Sequence, residues 1–102
     1  MPISIRDFED NVIGKIGRKF RIVEKKKHHI YYEIWYNDKK ICGTHRSHKS
    51  TGKEIYDNTL SDIARQLKLN NLKQLYLLEE CSFSENDYFD LLMLKQKNVI
   101  SD

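Results

Sequence analysis

Residues 25–50 read KKKHHIYYEIWYNDKKICGTHRSHKS, and this stretch decides the fold. His28 to Tyr36 is the strongest strand in the chain, rich in aromatic and β-branched residues. Asn37-Asp38 follows as a turn signal, and Lys40 to Arg46 can return antiparallel. Ile30, Ile34 and Ile41 are expected on one buried face, because residues directly opposed in a hairpin point the same way. A two-residue loop at Asn37-Asp38 and a four-residue loop from Asn37 to Lys40 both satisfy that condition. The other face then carries His29, Tyr31, Glu33 and Trp35, opposite Cys42, Thr44, Arg46 and, if the strand runs that far, His48. His29 is expected across from Arg46 or His48. His28 is expected to point with Ile30 toward the core, and His45 to be a structural residue on that same side.

On both sides of this hairpin the chain reads as helix that can cover one face of a sheet. Ser4 and Asp7 fit a capping box, after which Ile5, Phe8, Val12, Ile13 and Ile16 recur at helical spacing up to Gly17. Arg18 to Lys25 alternates around Phe20 and Ile22 as a short strand. After a loop from Lys49 to Asn58, Thr59 and Asp62 predict a second capped helix with Leu60, Ile63, Ala64 and Leu67 inward. Asn70-Asn71 breaks the pattern, and Leu72, Leu75 and Leu78 allow a short third helix. Ser84 and Asp87 cap a fourth that runs to about Gln96.

The 102 residues suit one domain with one core, residues 1–102, divided into a core over 3–70 and a helical extension over 71–97. No apolar run reaches membrane-spanning length, and the first 17 residues are too charged for a signal peptide. Cys42 and Cys81 form neither a ligand spacing nor a disulfide framework, so a reducing, cytoplasmic setting is expected. His45 and His48 have a possible ligand spacing, but no third ligand accompanies them, so no metal and no cofactor is expected. The net charge of +3 hides an asymmetry. Residues 1–53 hold 13 Lys/Arg against 6 Asp/Glu, whereas residues 54–102 hold 5 against 9. Basic residues clustered with aromatics in one half form an electrostatic footprint for nucleic acid.

The order helix, three strands, helix is the α+β arrangement of double-stranded-RNA-binding-domain-like folds, α-β-β-β-α, with helices on one face of an antiparallel sheet. Within it, His28-His29-Ile30-Tyr31-Tyr32 at the start of the central strand resembles the histidine motif of HicA-type toxins. Ser47-His48-Lys49-Ser50, with Leu60 to Leu69, resembles a longer branch of that family carrying C-terminal helices. The usual Gly and small polar residue before the histidine are replaced here by Lys26-Lys27 or Lys27-His28. The catalytic position is therefore open between His28 and His29, and strand alternation favours His29. The resemblance implies a small metal-independent endoribonuclease acting on single-stranded mRNA and neutralised by a HicB-type antitoxin.

Such cleavage needs a base for the 2′-hydroxyl proton, an acid for the leaving 5′-oxygen and a cation near the phosphate. Histidine can fill either proton-transfer role near neutral pH. His29 and His48, with Arg46 and Lys49 on the phosphate, are one expected set, and His28 is the other histidine candidate. Lys25, Lys26 and Lys27 extend the cationic strip, and Tyr31 and Trp35 can stack on unpaired bases. A non-catalytic nucleic-acid-binding module and a protein-docking face are the alternatives.

Overall fold

The computed structural model describes residues 2–47 and 54–100, with side chains through residue 95. In chain order, a two-residue strand β1 (Ile3–Ser4) leads into helix α1, made of three consecutive segments, Ile5–Asp7, Phe8–Ile13 and Gly14–Ile16. Strands β2 (Arg21–Lys26), β3 (His29–Tyr36) and β4 (Lys39–Ser47) follow, then β5 (Glu54–Ile55) and helices α2 (Asp57–Gln66), α3 (Leu72–Glu79) and α4 (Glu85–Ile100). The fold is α+β: β2, β3 and β4 form an antiparallel sheet in that order, and the helices pack on one of its faces. β1 and β5 pair antiparallel as a separate two-stranded ribbon, and β5 lies inside what reads from sequence as a loop.

The caps explain where most helices begin. Ser4 Oγ accepts the backbone N–H of Asp7 at 3.0 Å. Ser84 and Asp87 exchange side-chain and backbone bonds at 2.9 and 3.2 Å, a reciprocal capping box. Asn71 caps α3 through the N–H of Gln74. Thr59 and Asp62 do not cap: α2 starts at Asp57, two residues before Thr59, and its N-cap Tyr56 makes no side-chain bond. The middle of α1 departs from ideal helix. Phe8–Ile13 is wound as π-helix, and the N–H of Gly14 reaches back five residues to the carbonyl of Glu9. Its buried arc holds Phe8, Val12, Ile13, Lys15 and Ile16. The Lys15 ammonium donates to the carbonyls of Leu78 and Glu79, so a buried cation closes the C-terminal end of α3.

The buried apolar residues form one cluster that runs from Phe8 and Val12 through Ile30, Tyr32 and Ile34 to Leu75, Leu78, Tyr88 and Leu92. The C-terminal helices belong to this cluster. Phe20 packs edge-on against Tyr88, with centroids 5.8 Å apart, and Phe89 packs on both Phe20 and Tyr36. The Tyr88 hydroxyl donates to the carbonyl of Leu67 at 2.8 Å.

The sheet register differs from the sequence reading in one decisive place. Asn37 and Asp38 both take left-handed backbone (φ 51° and 61°), as a two-residue hairpin loop requires, with Tyr36 opposite Lys39 and Trp35 opposite Lys40. Ile34 then faces Cys42 rather than Ile41. Ile41 is the extra residue of a β-bulge, and it and Cys42 are both buried. Every β4 residue beyond the bulge is shifted by one, and with a two-residue side-chain period that reverses its face. Cys42, Thr44 and Arg46 turn toward the helices, while Gly43, His45 and Ser47 lie on the open side.

Candidate functional site

The covered side of the sheet takes up the residues that the bulge turns inward. Arg46 lies opposite Ile30 and donates through Nε to the Tyr32 hydroxyl at 3.0 Å and through Nη2 to Glu9 Oε2 at 2.9 Å. Tyr32 donates to the same carboxylate oxygen at 2.9 Å. Only 10% of the Arg46 side chain is exposed, so its guanidinium does not belong to the open face expected from sequence. Desolvation works against its charge, but the bonds to Glu9 and Tyr32 outweigh that and hold its pKa above the ordinary value. Desolvation likewise pushes Glu9 upward, yet the Arg46 and Tyr32 hydrogen bonds bring its carboxyl below the usual range. Tyr32, desolvated beside Glu9 and restrained by Arg46, is pushed up to about 12. Thr44 donates to Gln66 of α2 at 2.6 Å, and the Cys42 thiol lies 3.6 Å from the Tyr88 hydroxyl. Burial, partly offset by that bond, raises the Cys42 thiol.

The open side carries two neighbouring groups. At one end His29, Tyr31 and His45 form a three-ring cluster. His29 and His45 have centroids 5.2 Å apart, Tyr31 and His45 5.3 Å, and His29 and Tyr31 6.2 Å. Tyr31 is directly opposite His45, and His29 is opposite Ser47, which places the two imidazoles on a cross-strand diagonal. His45, expected on the core side, is thus a partner of His29, the place expected for Arg46. The second group centres on Glu33. Trp35 Nε1 donates to Oε1 at 3.2 Å, and the ammoniums of Lys25 and Lys40 lie 3.3 and 3.8 Å from Oε2. The Trp35 bond first, then Lys25 and Lys40, outweigh slight desolvation and lower its carboxyl.

Gly43 sits across from Glu33, between the two groups. A Cβ there would come 3.0 Å from the Tyr32 carbonyl and 3.6 Å from Lys40 Cε. With hydrogen in that place, a depression of about 180 Å³ opens between Tyr31, Glu33, Lys40 and His45.

The remaining expected residues fall around this face. Lys27 and His28 make the turn between β2 and β3, where the Lys27 N–H donates to the His29 carbonyl at 2.9 Å. Both are exposed, so His28 lies in the turn and not toward the core. Lys25 and Lys26 end the adjacent strand: Lys25 is opposite Tyr31 on the open side, whereas Lys26 is opposite the buried Ile30 and acts on the Glu9 carboxylate, so it belongs to the covered side and not to the expected cationic strip. Trp35 is on the open face beside Glu33. His48 and Lys49 lie outside the described residues. Among the described residues no three His, Cys, Asp or Glu side chains converge as a metal-ligand set, and no helix is long and apolar enough to cross a membrane. Sequence reasoning missed His45, Lys40 and Gly43 as site residues. The adjacent apolar pair Ile41-Cys42 followed by Gly43 was the signal that a bulge, and with it a change of face, was present.

The chain matches no family model, no curated protein and no solved structure.

Proposed function

We propose that the open face of the sheet binds single-stranded RNA and cleaves it without a metal ion, as a HicA-like endoribonuclease of a toxin–antitoxin pair. The observation that carries this reading is the His29–Tyr31–His45 cluster on an uncovered face bordered by Lys25, Lys27 and Lys40. Two imidazoles side by side supply a base and an acid. One takes the 2′-hydroxyl proton as O2′ attacks phosphorus; the other protonates the departing 5′-oxygen as the P–O5′ bond breaks. The products are a 2′,3′-cyclic phosphate and a 5′-hydroxyl. Lysine ammoniums balance the phosphate charge, and Tyr31 and Trp35 offer flat surfaces for unstacked bases. His45 takes the role that sequence assigned to His48, and the lysines take the one assigned to Arg46. A HicB-type antitoxin is the protein partner that the family resemblance implies.

The test is cleavage of single-stranded RNA in EDTA by the wild type and by His28→Ala, His29→Ala, His45→Ala and His48→Ala. Loss of either proton-transfer group is expected to slow cleavage by about 100-fold or more while leaving RNA bound. His29→Ala and His45→Ala should show that loss. Salt-sensitive RNA binding with no cleavage by any variant would replace this reading with a non-catalytic binding module. Neither binding nor cleavage would leave the face to a protein partner.

A further inference from the structure

We propose that Glu33 and Lys40, with the gap left by Gly43, form a subsite that reads a guanine base. This inference rests on the RNA-binding reading of the same face and names what that face selects. The Glu33 carboxylate has two oxygens able to accept about four hydrogen bonds, and Trp35 and Lys25 each take one. Acceptor capacity is left on both oxygens, and Glu33, with 17% of its side chain exposed, lines a depression together with Tyr31, Lys40, Gly43 and His45. The Tyr31 and His45 rings, 5.3 Å apart and tilted by 35°, form one wall of that depression. Glu33 forms another, and the missing Cβ of Gly43 is the floor.

A base lying over Gly43 presents its Watson–Crick edge to Glu33, and the four bases differ in what they present. Guanine offers two adjacent donors, N1–H and N2–H, which match two carboxylate oxygens, and beside them the acceptor O6. The Lys40 ammonium, 3.8 Å from Glu33 Oε2 and on a half-exposed side chain, is the donor next to the carboxylate. Adenine and cytosine each place a ring-nitrogen acceptor beside their amino group, and uracil places two carbonyls around one N–H. All three set an acceptor against an anion. Single-stranded RNA is read along these edges when bases are splayed out. A donor–acceptor match of this quality discriminates by about tenfold or more.

The experiment measures binding of short oligouridylates with one central guanosine, inosine, adenosine or cytidine, made with 2′-fluoro sugars so that cleavage does not intervene. Anisotropy titrations are run on the wild type, Glu33→Gln and Lys40→Met. Guanosine is expected to bind about tenfold tighter than adenosine or cytidine, with inosine, which lacks the N2 amino group, in between. Glu33→Gln should flatten the series, because an amide presents one donor and one acceptor. Lys40→Met should weaken the guanosine and inosine probes more than the others. Melting curves of both variants check that the fold is intact; both positions are at the surface. Equal, salt-sensitive binding of all four probes would overturn the guanine subsite and leave RNA binding standing. So would a preference for adenosine or cytidine, or a guanosine preference that survives Glu33→Gln. No binding of any probe would overturn both readings.

Discussion

The two faces of the sheet are built from alternate residues of the same strands, yet they differ in kind. Toward the helices, four polar side chains of β3 and β4 have fixed partners: Arg46 and Tyr32 on Glu9, Thr44 on Gln66, Cys42 beside Tyr88. Toward the open side, the rings of His29, Tyr31 and His45 pack on one another across the strands, and Glu33 gathers ammoniums from side chains about half exposed. The covered face is a satisfied polar layer that fixes helix position; the open face retains donors, acceptors and flat surfaces for something else. Which β4 residue serves which face follows from its pairing with β3, and that pairing accommodates one extra residue, Ile41.

Ile41 is the place to test whether the contrast depends on the bulge itself or on the pairings around it. Removing the bulged residue leaves Trp35 opposite Lys40 and Ile34 opposite Cys42, so all other pairings persist. Deleting Ile41 is therefore expected to cost about 2–4 kcal/mol, the loss of a buried isoleucine, while the faces stay as they are. Denaturant melts give the first quantity, and ring-to-ring nuclear Overhauser contacts between His29 and His45 test the second. A folded deletion variant in which those contacts vanish would mean that the bulge does not act as a silent insertion.

Periodicity was enough to place β3 on its correct face. Ile30 and Ile34 are buried and His29 and Tyr31 point away, because an alternating strand has only two ways to lie. Ser4, Asn70-Asn71 and Ser84 were legible for the same local reason: a cap or a break is chemistry between near neighbours. β4 was different. Two adjacent apolar residues, Ile41 and Cys42, fit an inward position equally well, and the choice is made by bonds to Glu9, Gln66 and Tyr88, far along the chain. Lys15 was equally hidden, since its partners are backbone carbonyls at Leu78 and Glu79 with no sequence signature. The β1–β5 pairing escaped because two-residue strands carry no period.

A smaller effect separates the two faces by function. Arg46→Ala leaves Glu9 and the Tyr32 hydroxyl without their cation and is expected to cost about 1–2 kcal/mol, below the value for a fully buried pair because Glu9 is 40% exposed. RNA affinity of the folded protein should not change. Lys25→Ala should do the reverse: an unchanged melting temperature, weaker RNA binding, and a salt dependence shallower by about 0.7 in log–log slope, one fewer phosphate contact on a single strand. Weakened RNA binding in folded Arg46→Ala would return that guanidinium to the interface and erase the division between the faces.

The finest distinction is in the pH dependence of stability, which should come from the covered face alone when Glu9 and Tyr32 are varied. The folded state holds the Glu9 carboxyl below its ordinary value, so it binds a proton less readily than the unfolded chain. The stabilisation is thus present above the unfolded carboxylate value of roughly 4.3 and is lost as pH falls through the lower folded value. Tyr32 acts in the opposite direction. Its folded value of about 12 exceeds the unfolded one, so its contribution is present below roughly pH 10 and is lost as pH rises toward 12. Denaturant midpoints of wild type and Glu9→Gln should therefore converge in acid, and those of wild type and Tyr32→Phe should change their spacing only in alkali. A wild-type–Glu9→Gln gap that stays constant down to about pH 2 would mean that the Arg46–Glu9 pair acts through shape and hydrogen bonding with no net charge term. The covered face would then be a neutral scaffold, and its contrast with the open face one of packing alone.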